Sequence, residues 1–199
     1  MVEFHSEISR WRPIVRDRWR ERAGPGAGLW YDLGPHLVHQ ALTLFGEPDG
    51  VQATLRALRP GGVTDDWFHV RLDYPTRQVL LTSSMLGADA VPRFRVRGTG
   101  GALVKAGMDV QERRLMAGER PGPADWGHDD DPVIVHRDGE APRPISVPAG
   151  SYGRFYAGMR DAIRDGSPLP VTPAMALLVM AIIAAGVRSS ASGRTERAA

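Results

Sequence analysis

The stretch DLGPHLVHQALTLFG, Asp32 to Gly46, decides how the rest of the chain is read. Leu37, Leu42, Leu44 and Phe45 give it one apolar side, and Gly46 followed by Pro48 ends the run, so it is a helix. Gly34 and Pro35 stand where that helix is expected to begin, because a first turn has no partner for proline's missing N–H. Asp32 and His36 are four residues apart, which places both side chains on one face of the opening turn. A carboxylate that fixes an imidazole's tautomer makes a proton-transfer pair. The plainer alternative is that Asp32 caps the helix and His36 is an ordinary half-buried side chain.

Working outward, Val2, Phe4, Ser6 and Ile8 alternate with Glu3, His5, Glu7 and Ser9, the period of a half-buried strand. A chain that starts inside a strand reads as a piece cut from something longer. Arg10 to Leu29 is a long connection holding Trp11, Trp19, Pro13, Pro25 and glycines 24, 26 and 28, and loops of that length are functional or mobile. Past the helix, Val51, Ala53, Leu55 and Ala57 form one apolar alternation and Phe68, Val70, Leu72 and Tyr74 another. Val79 to Met85 and Arg93 to Arg97 add strands to what reads as an antiparallel meander, with turns at Pro60-Gly61-Gly62 and Tyr74-Pro75-Thr76.

The second half is more broken. Asp109 to Ala117 reads as a short helix, residues 118–131 as an exposed, mobile excursion, and Val133 to His136 and Arg143 to Val147 as edge strands. Ser151 is placed to cap a helix carrying Tyr152, Phe155, Tyr156, Met159 and Ile163, which Gly166 stops. Ala174 to Val187, opened by Thr172-Pro173, is apolar almost throughout. At about 14 residues it falls short of the roughly 20 that span a bilayer, so it is expected as a buried core helix. The tail after Ser189, about 190–199, is expected to fray. The class is α+β: one domain over residues 1–199, a large, mainly antiparallel sheet with helices packed on one face.

Composition narrows the partners. A net charge of +2 is too small to argue for nucleic acid, and the pI near 9.4 reflects arginine, since Lys105 is the only lysine. Neither a membrane span nor an export leader is visible, and with no cysteine the cytoplasm is the expected compartment. Gly24-Pro25-Gly26-Ala27-Gly28 and Gly98-Thr99-Gly100-Gly101 lack the strand–turn–helix setting of a dinucleotide loop. This chain alone is therefore not expected to bind a nucleotide tightly. Asp32, His36 and His39, at i, i+4 and i+7, are an alternative metal-binding set.

Several further features, in order, fill in a pattern. His5-Ser6 and Arg12-Pro13 are followed by Trp19-Arg20, a glycine-rich link and Asp32-x-Gly34-x-His36. Then come Asp65-Asp66 before a strand, Phe94 to Gly98 with Thr99-Gly100-Gly101, Asp109-Val110-Gln111-Glu112, Gly153 to Tyr156, and Pro170-Val171. The chain resembles the C-terminal, substrate-binding and oligomerisation domain of the Gfo/Idh/MocA oxidoreductases, without their Rossmann half.

The resemblance implies an NAD(P)-dependent dehydrogenase or reductase acting on a sugar, polyol or related hydroxy compound. It implies that Asp32 and His36 are catalytic, working with a lysine of the absent nucleotide domain. It implies also that Trp19 and Arg20 face the cofactor, and that His5, Arg12 and His39 bind substrate. For Trp19 and Arg20 the alternative is packing and a surface ion pair. Where relatives often carry a second acid, this sequence has His39. Lys105 matches no Glu-Lys-Pro segment and takes no catalytic role. A homodimer or higher homo-oligomer through the sheet is implied, and the chain is expected to be silent alone. The competing reading is a non-catalytic binding or assembly module that retains the sheet.

Overall fold

The start of the first helix is set from far along the chain. The computed structural model describes residues 2–122 and 125–198, so Met1, Pro123 and Ala124 of the expected excursion, and Ala199 of the tail lie outside the described residues. Helix α1, Leu29–Phe45, is opened by Asp65, 35 residues on from Trp30. Its Oδ2 accepts from Trp30 N at 2.6 Å and its carbonyl from Leu29 N at 2.8 Å, satisfying two of the donors every helix start leaves open. Gly28 precedes at φ 98°, and a Cβ there would lie 2.0 Å from Asp65 Oδ1. With the cap supplied this way, α1 starts three residues before Asp32, and Gly34-Pro35 lies inside the helix, not at its entry. Asp32 is not the cap. At the far end Tyr74 Oη donates to Gly46 O at 2.9 Å, and burial pushes the Tyr74 phenol up to about 12.

Eight strands form one sheet in the order β2-β3-β4-β1-β5-β6-β7-β8. Their ranges are β1 Val2–Glu7, β2 Gly50–Arg56, β3 Trp67–Tyr74, β4 Arg77–Ser84, β5 Phe94–Gly98, β6 Gly101–Lys105, β7 Val133–His136 and β8 Arg143–Ile145. Every pairing is antiparallel except β1 with β4, where Phe4 sits opposite Val79. The expected meander is thus interrupted: β1 slots between β4 and β5. Gly98-Thr99-Gly100-Gly101 turns β5 into β6, a strand that sequence reading left out. Phe4, Ser6, Phe68, Val70, Leu72, Val79 and Leu81 are buried on one face, while Glu3, His5, Arg71 and Arg97 line the other.

Helices α1 and α4, Pro173–Ser192, cross over the buried face of the β2–β1 half. Trp30 has no solvent exposure, and its Nε1 donates to Ile183 O of α4 at 2.9 Å. Two glycines let the helices close on the indole. A Cβ on Gly34 would fall 2.5 Å from Trp30 Cε3, and one on Gly186 3.0 Å from Cζ2. Short helix α2 covers Val110–Met116, and α3 covers Tyr152–Asp165.

Three expectations about the C-terminal part change. Ser151 makes no side-chain cap; Tyr152 N instead donates to Oε1 of buried Gln111. α4 is 20 residues long and apolar enough to cross a membrane by length and composition, not about 14 residues. Its inner side is packed, with Ala53 N and Leu55 N of β2 donating to the Ser189 and Ser190 hydroxyls, but its outer side is bare, so it is not a fully buried helix. Nor does the tail fray after Ser189: Glu196 exchanges both backbone hydrogen bonds with Val51 of β2.

The Trp30 clamp yields a stability prediction. Gly34→Ala should destabilise by about 1–2 kcal/mol, since overpacking exceeds the roughly 1 kcal/mol that alanine gains in a helix. Gly186→Ala, with the longer approach, should cost less. Urea unfolding with an unchanged slope would check both.

Candidate active site

The connection from Arg10 to Leu29 carries the first site residues and is pinned, not loose. Buried Arg59 pairs with buried Asp66 at 2.9 Å and donates through Nη1 to Arg12 O at 3.1 Å and Ile14 O at 3.4 Å. Asp66 also accepts from Leu58 N and Arg59 N, so both charges are paired and hydrogen-bonded, as buried charges must be. A short 3₁₀ turn, Trp19–Glu21, then presents Trp19 and Arg20. The Trp19 ring is 64% exposed, with the Arg20 guanidinium 5.3 Å from its centroid.

Arg20 Nη1 reaches back to α1 and contacts both carboxylate oxygens of Asp32, at 3.0 and 3.2 Å. These groups line a cleft of about 360 Å³ together with Arg12 and Asp65. His36, one turn further along α1, is exposed and lines a second cleft of about 570 Å³ with Gln40, Arg93, Lys105 and Tyr152. Asp32 and His36 are therefore both accessible, as expected, but they open into neighbouring clefts. Among the described residues no hydrogen bond joins them; the partner of Asp32 is Arg20.

The second cleft contains what sequence reading missed. Arg93 is buried with no carboxylate against it: Nη1 donates to Ser6 Oγ and Glu7 O, Nη2 to Gln40 Oε1, and the guanidinium lies 4.4 Å from the Phe94 ring centroid. Burial pushes its pKa down to about 10. Gln40 lies one turn beyond His36, so Arg93 is braced beside the imidazole's face of α1. Lys105 lies in the same cleft, bound to Asp129 at 2.9 Å and to Asp131. Burial opposes its charge, but the two carboxylates outweigh that and raise its pKa. Lys105 carries no motif in the sequence, and its place at the end of β6 is what brings it to this cleft.

Other expected site residues stand elsewhere. His5 lies on the opposite face of the sheet from α1, 3.0 Å from Glu3 and opposite Arg95, and burial lowers its pKa. It is not brought to Asp32 and His36. His39 faces a third, shallow groove with Thr43, Leu44 and Phe94. Among the described residues no three His, Asp or Glu side chains converge as a metal would need, so the Asp32–His36–His39 set is not assembled.

With this arrangement in hand, comparison with known proteins is direct. Residues 1–197 match the oxidoreductase family's C-terminal alpha/beta domain, and the chain belongs to the Gfo/Idh/MocA oxidoreductase family. It is 46% identical over 191 residues to YdgJ of Escherichia coli strain K12, an uncharacterized oxidoreductase, covering 94% of this chain and 55% of that one. It is 36% identical over 197 residues to IolW of Bacillus subtilis strain 168, a scyllo-inositol 2-dehydrogenase (NADP(+)), covering 96% of this chain and 55% of that one. A crystal structure from Klebsiella pneumoniae superposes with a TM-score of 0.89 at 45% identity, over 98% of this chain and 55% of that one. Bacillus subtilis yvaA gives 0.90 at 35% identity, over 98% and 57%. The chain spans about half the length of the relatives it matches.

Asp65 gives a pH test of the site's frame. Burial raises its carboxyl pKa against the lowering effect of the Trp30 N–H bond. The folded state therefore holds this proton more tightly than the unfolded chain, and the group's contribution is full below the unfolded pKa and falls as pH rises through the folded one. The stability difference between the unsubstituted chain and Asp65→Asn should therefore shrink as pH rises through and above the ordinary carboxylate range in urea titrations. Asp65→Ala, which removes the cap, should cost about 1–2 kcal/mol.

Proposed function

We propose that this chain is the substrate-binding half of an NAD(P)-dependent dehydrogenase or reductase acting on a sugar, polyol or related hydroxy compound. The observation that carries the reading is the presentation of Asp32 and His36 from consecutive turns of one capped helix, each open to a cleft beside the other. IolW, named for the NADP(+)-dependent oxidation of a cyclitol, supports the substrate class and the cofactor.

The residues fit such a cofactor at one end only. Trp19, largely exposed with the Arg20 guanidinium against its ring, stands in the lining of the Asp32 cleft as an aromatic surface on which a planar heterocycle can stack, and Arg12 lines the same cleft. Nothing in the glycine-rich link, which follows a loop and not a strand, forms a phosphate cradle. The pyrophosphate end would be held by the polypeptide that relatives carry in addition. When bound, the nicotinamide supplies or accepts a hydride.

The protein's part is proton handling and orientation. His36, exposed on α1, takes the proton of the substrate hydroxyl as the carbon loses hydride, and returns it in reduction. Asp32, fixed by Arg20, holds a second hydroxyl or the catalytic group of the partner domain in register. Gln40 and Arg93 keep the wall beside His36 rigid and supply N–H donors to substrate oxygens. In this reading the open sheet face bearing His5, His69 and Arg71 pairs with a second copy, and the cytoplasm is the compartment.

The test is a fusion of this chain behind the N-terminal portion of YdgJ, assayed with NADP⁺ and scyllo-inositol and a panel of polyols. His36→Ala should lower kcat by about 10²–10⁴-fold with KM changed far less, the range for losing a general acid–base. Asp32→Asn should lower it by a smaller factor. Unchanged turnover in His36→Ala, on every substrate accepted, would replace this reading with that of a non-catalytic assembly module.

A further inference from the structure

The connection between β1 and α1 carries more positive charge than its surroundings balance. It holds Arg10, Arg12, Arg16, Arg18, Arg20 and Arg22. Arg20 is paired with Asp32 and Arg22 with Asp17, while Glu21 lies 3.8 Å from buried Arg59 and accepts from Arg16 N. Asp65 is engaged at the start of α1 and Asp66 by Arg59. Every carboxylate of this connection and of the Asp32 cleft is thus occupied. Among the described residues, none lies within ion-pair distance of the Arg10, Arg12, Arg16 or Arg18 guanidinium.

Two of those four are held in place. Arg10 N donates to Ser84 O and Arg12 N to Met85 O, both at 2.8 Å, and the Arg12 carbonyl accepts from Arg59. Both are half-buried and stand on either side of the Trp11–Leu86 bridge, an arrangement that turns their side chains the same way. Arg10 lines the His36 cleft and Arg12 the Asp32 cleft, with exposed Arg18 beside Arg12. Of the acids in the His36 cleft, Asp129 holds Lys105 and Asp109 accepts from Gln111; Glu112 is exposed on α2. Clustered guanidiniums repel one another. Burial lowers the Arg12 pKa most, and Arg10, Arg16 and Arg18 lower it further against the pull of Asp32. Arginine keeps its proton in proteins, so an anion arriving from outside is what relieves the repulsion.

We propose that Arg10 and Arg12, with Arg18 at the rim, bind an oxyanion carried by the substrate, so that the hydroxy compound presented to His36 is a sugar acid or sugar phosphate and not a neutral polyol. The two held arginines reach the Asp32 cleft and the His36 cleft from one short run of backbone, which sets the anion beside the reacting hydroxyl. Guanidinium forks match carboxylate and phosphate oxygens alike and add direction to charge. The inference rests on the proposed function for the reacting hydroxyl, and it departs from the neutral cyclitol of IolW's name.

The test titrates the isolated chain by calorimetry with two matched pairs: gluconate against sorbitol, and glucose phosphate against glucose. The anionic member of at least one pair should bind about tenfold more tightly than its neutral partner, and the advantage should shrink as salt is raised. Arg10→Gln and Arg12→Gln should each weaken anion binding about tenfold, while Arg143→Gln on exposed strand β8 leaves it unchanged. Both variants should keep or raise the Tm, because removing one of several like charges relieves repulsion, whereas a merely structural arginine would lower it. Equal affinity for anion and neutral partner in both pairs, or anion binding that survives Arg10→Gln and Arg12→Gln, would overturn the proposal. In the YdgJ fusion the same variants should raise KM for the anionic substrate about tenfold and leave KM for NADP⁺ alone. The reverse pattern would assign the anion to the cofactor's phosphate, and the proposal would fall. A fusion that turns over nothing, with Arg10 and Arg12 still required for anion binding by the isolated chain, would keep the oxyanion site and remove the dehydrogenase chemistry.

Discussion

The Trp30 indole, closed between two glycines and hydrogen-bonded to a carbonyl of the last helix, is the contact on which the site's geometry depends. Trp30 belongs to the first turn of α1, as does Asp32, and His36 follows one turn after Asp32. By fixing that turn against α4, which also reaches β2 through Ser189 and Ser190, the indole ties α1 to the sheet at a set depth and rotation. The ring contributes area and the N–H a direction, and a side chain without both could not replace it. Trp30 also packs edge-on to Phe68, so the clamp continues into the start of β3.

A second constraint works on the loop side. Long surface connections are ordinarily the least ordered part of a domain, but here a buried guanidinium–carboxylate pair at the foot of β3 takes hold of the backbone near Arg12 and Ile14. The cost of burying both charges is offset by five hydrogen bonds, three accepted by the Asp66 carboxylate and two donated by Arg59 Nη1 to main-chain carbonyls, and the return is position, not stability. Trp19 and Arg20 thereby meet Asp32 from a fixed direction. Asp65 and Asp66, adjacent in sequence, divide the work: one starts the helix, the other anchors the loop.

Much of this was legible from residue order, and the exceptions share a cause. Strand alternation at 2–9, 51–57 and 68–74 identified the core face correctly, because period two depends on nothing beyond the strand itself. Helix α1 was recognisable, but its first residue was not, since Asp65 acts from 35 positions away. The sheet order escaped for the same reason: no local signal says that β1 enters between β4 and β5. Among site residues, the Asp32–His36 spacing was readable as a shared helix face, whereas the separation of their clefts depends on Arg20 and Arg93 arriving from other elements. His5, which the family resemblance gave to the substrate, lies on the sheet face away from α1; a strand's alternation tells which residues share a face but not which face looks at the helix. Arg93 and Lys105 carry no motif; tertiary surroundings alone make them part of the cleft.

The placement of β1 bears on how the domain can assemble. Hairpins β3–β4 and β5–β6 join neighbours in sequence and can form early, whereas β1 must dock along β4, some 75 positions away, and alongside β5. Until residues 2–7 are in place the two hairpin groups remain separate halves with raw, unpaired edges facing each other. Loss of this segment would therefore act like drawing the keystone from an arch: it would divide the sheet through its middle, between the half that carries the helices and the half that completes the His36 cleft.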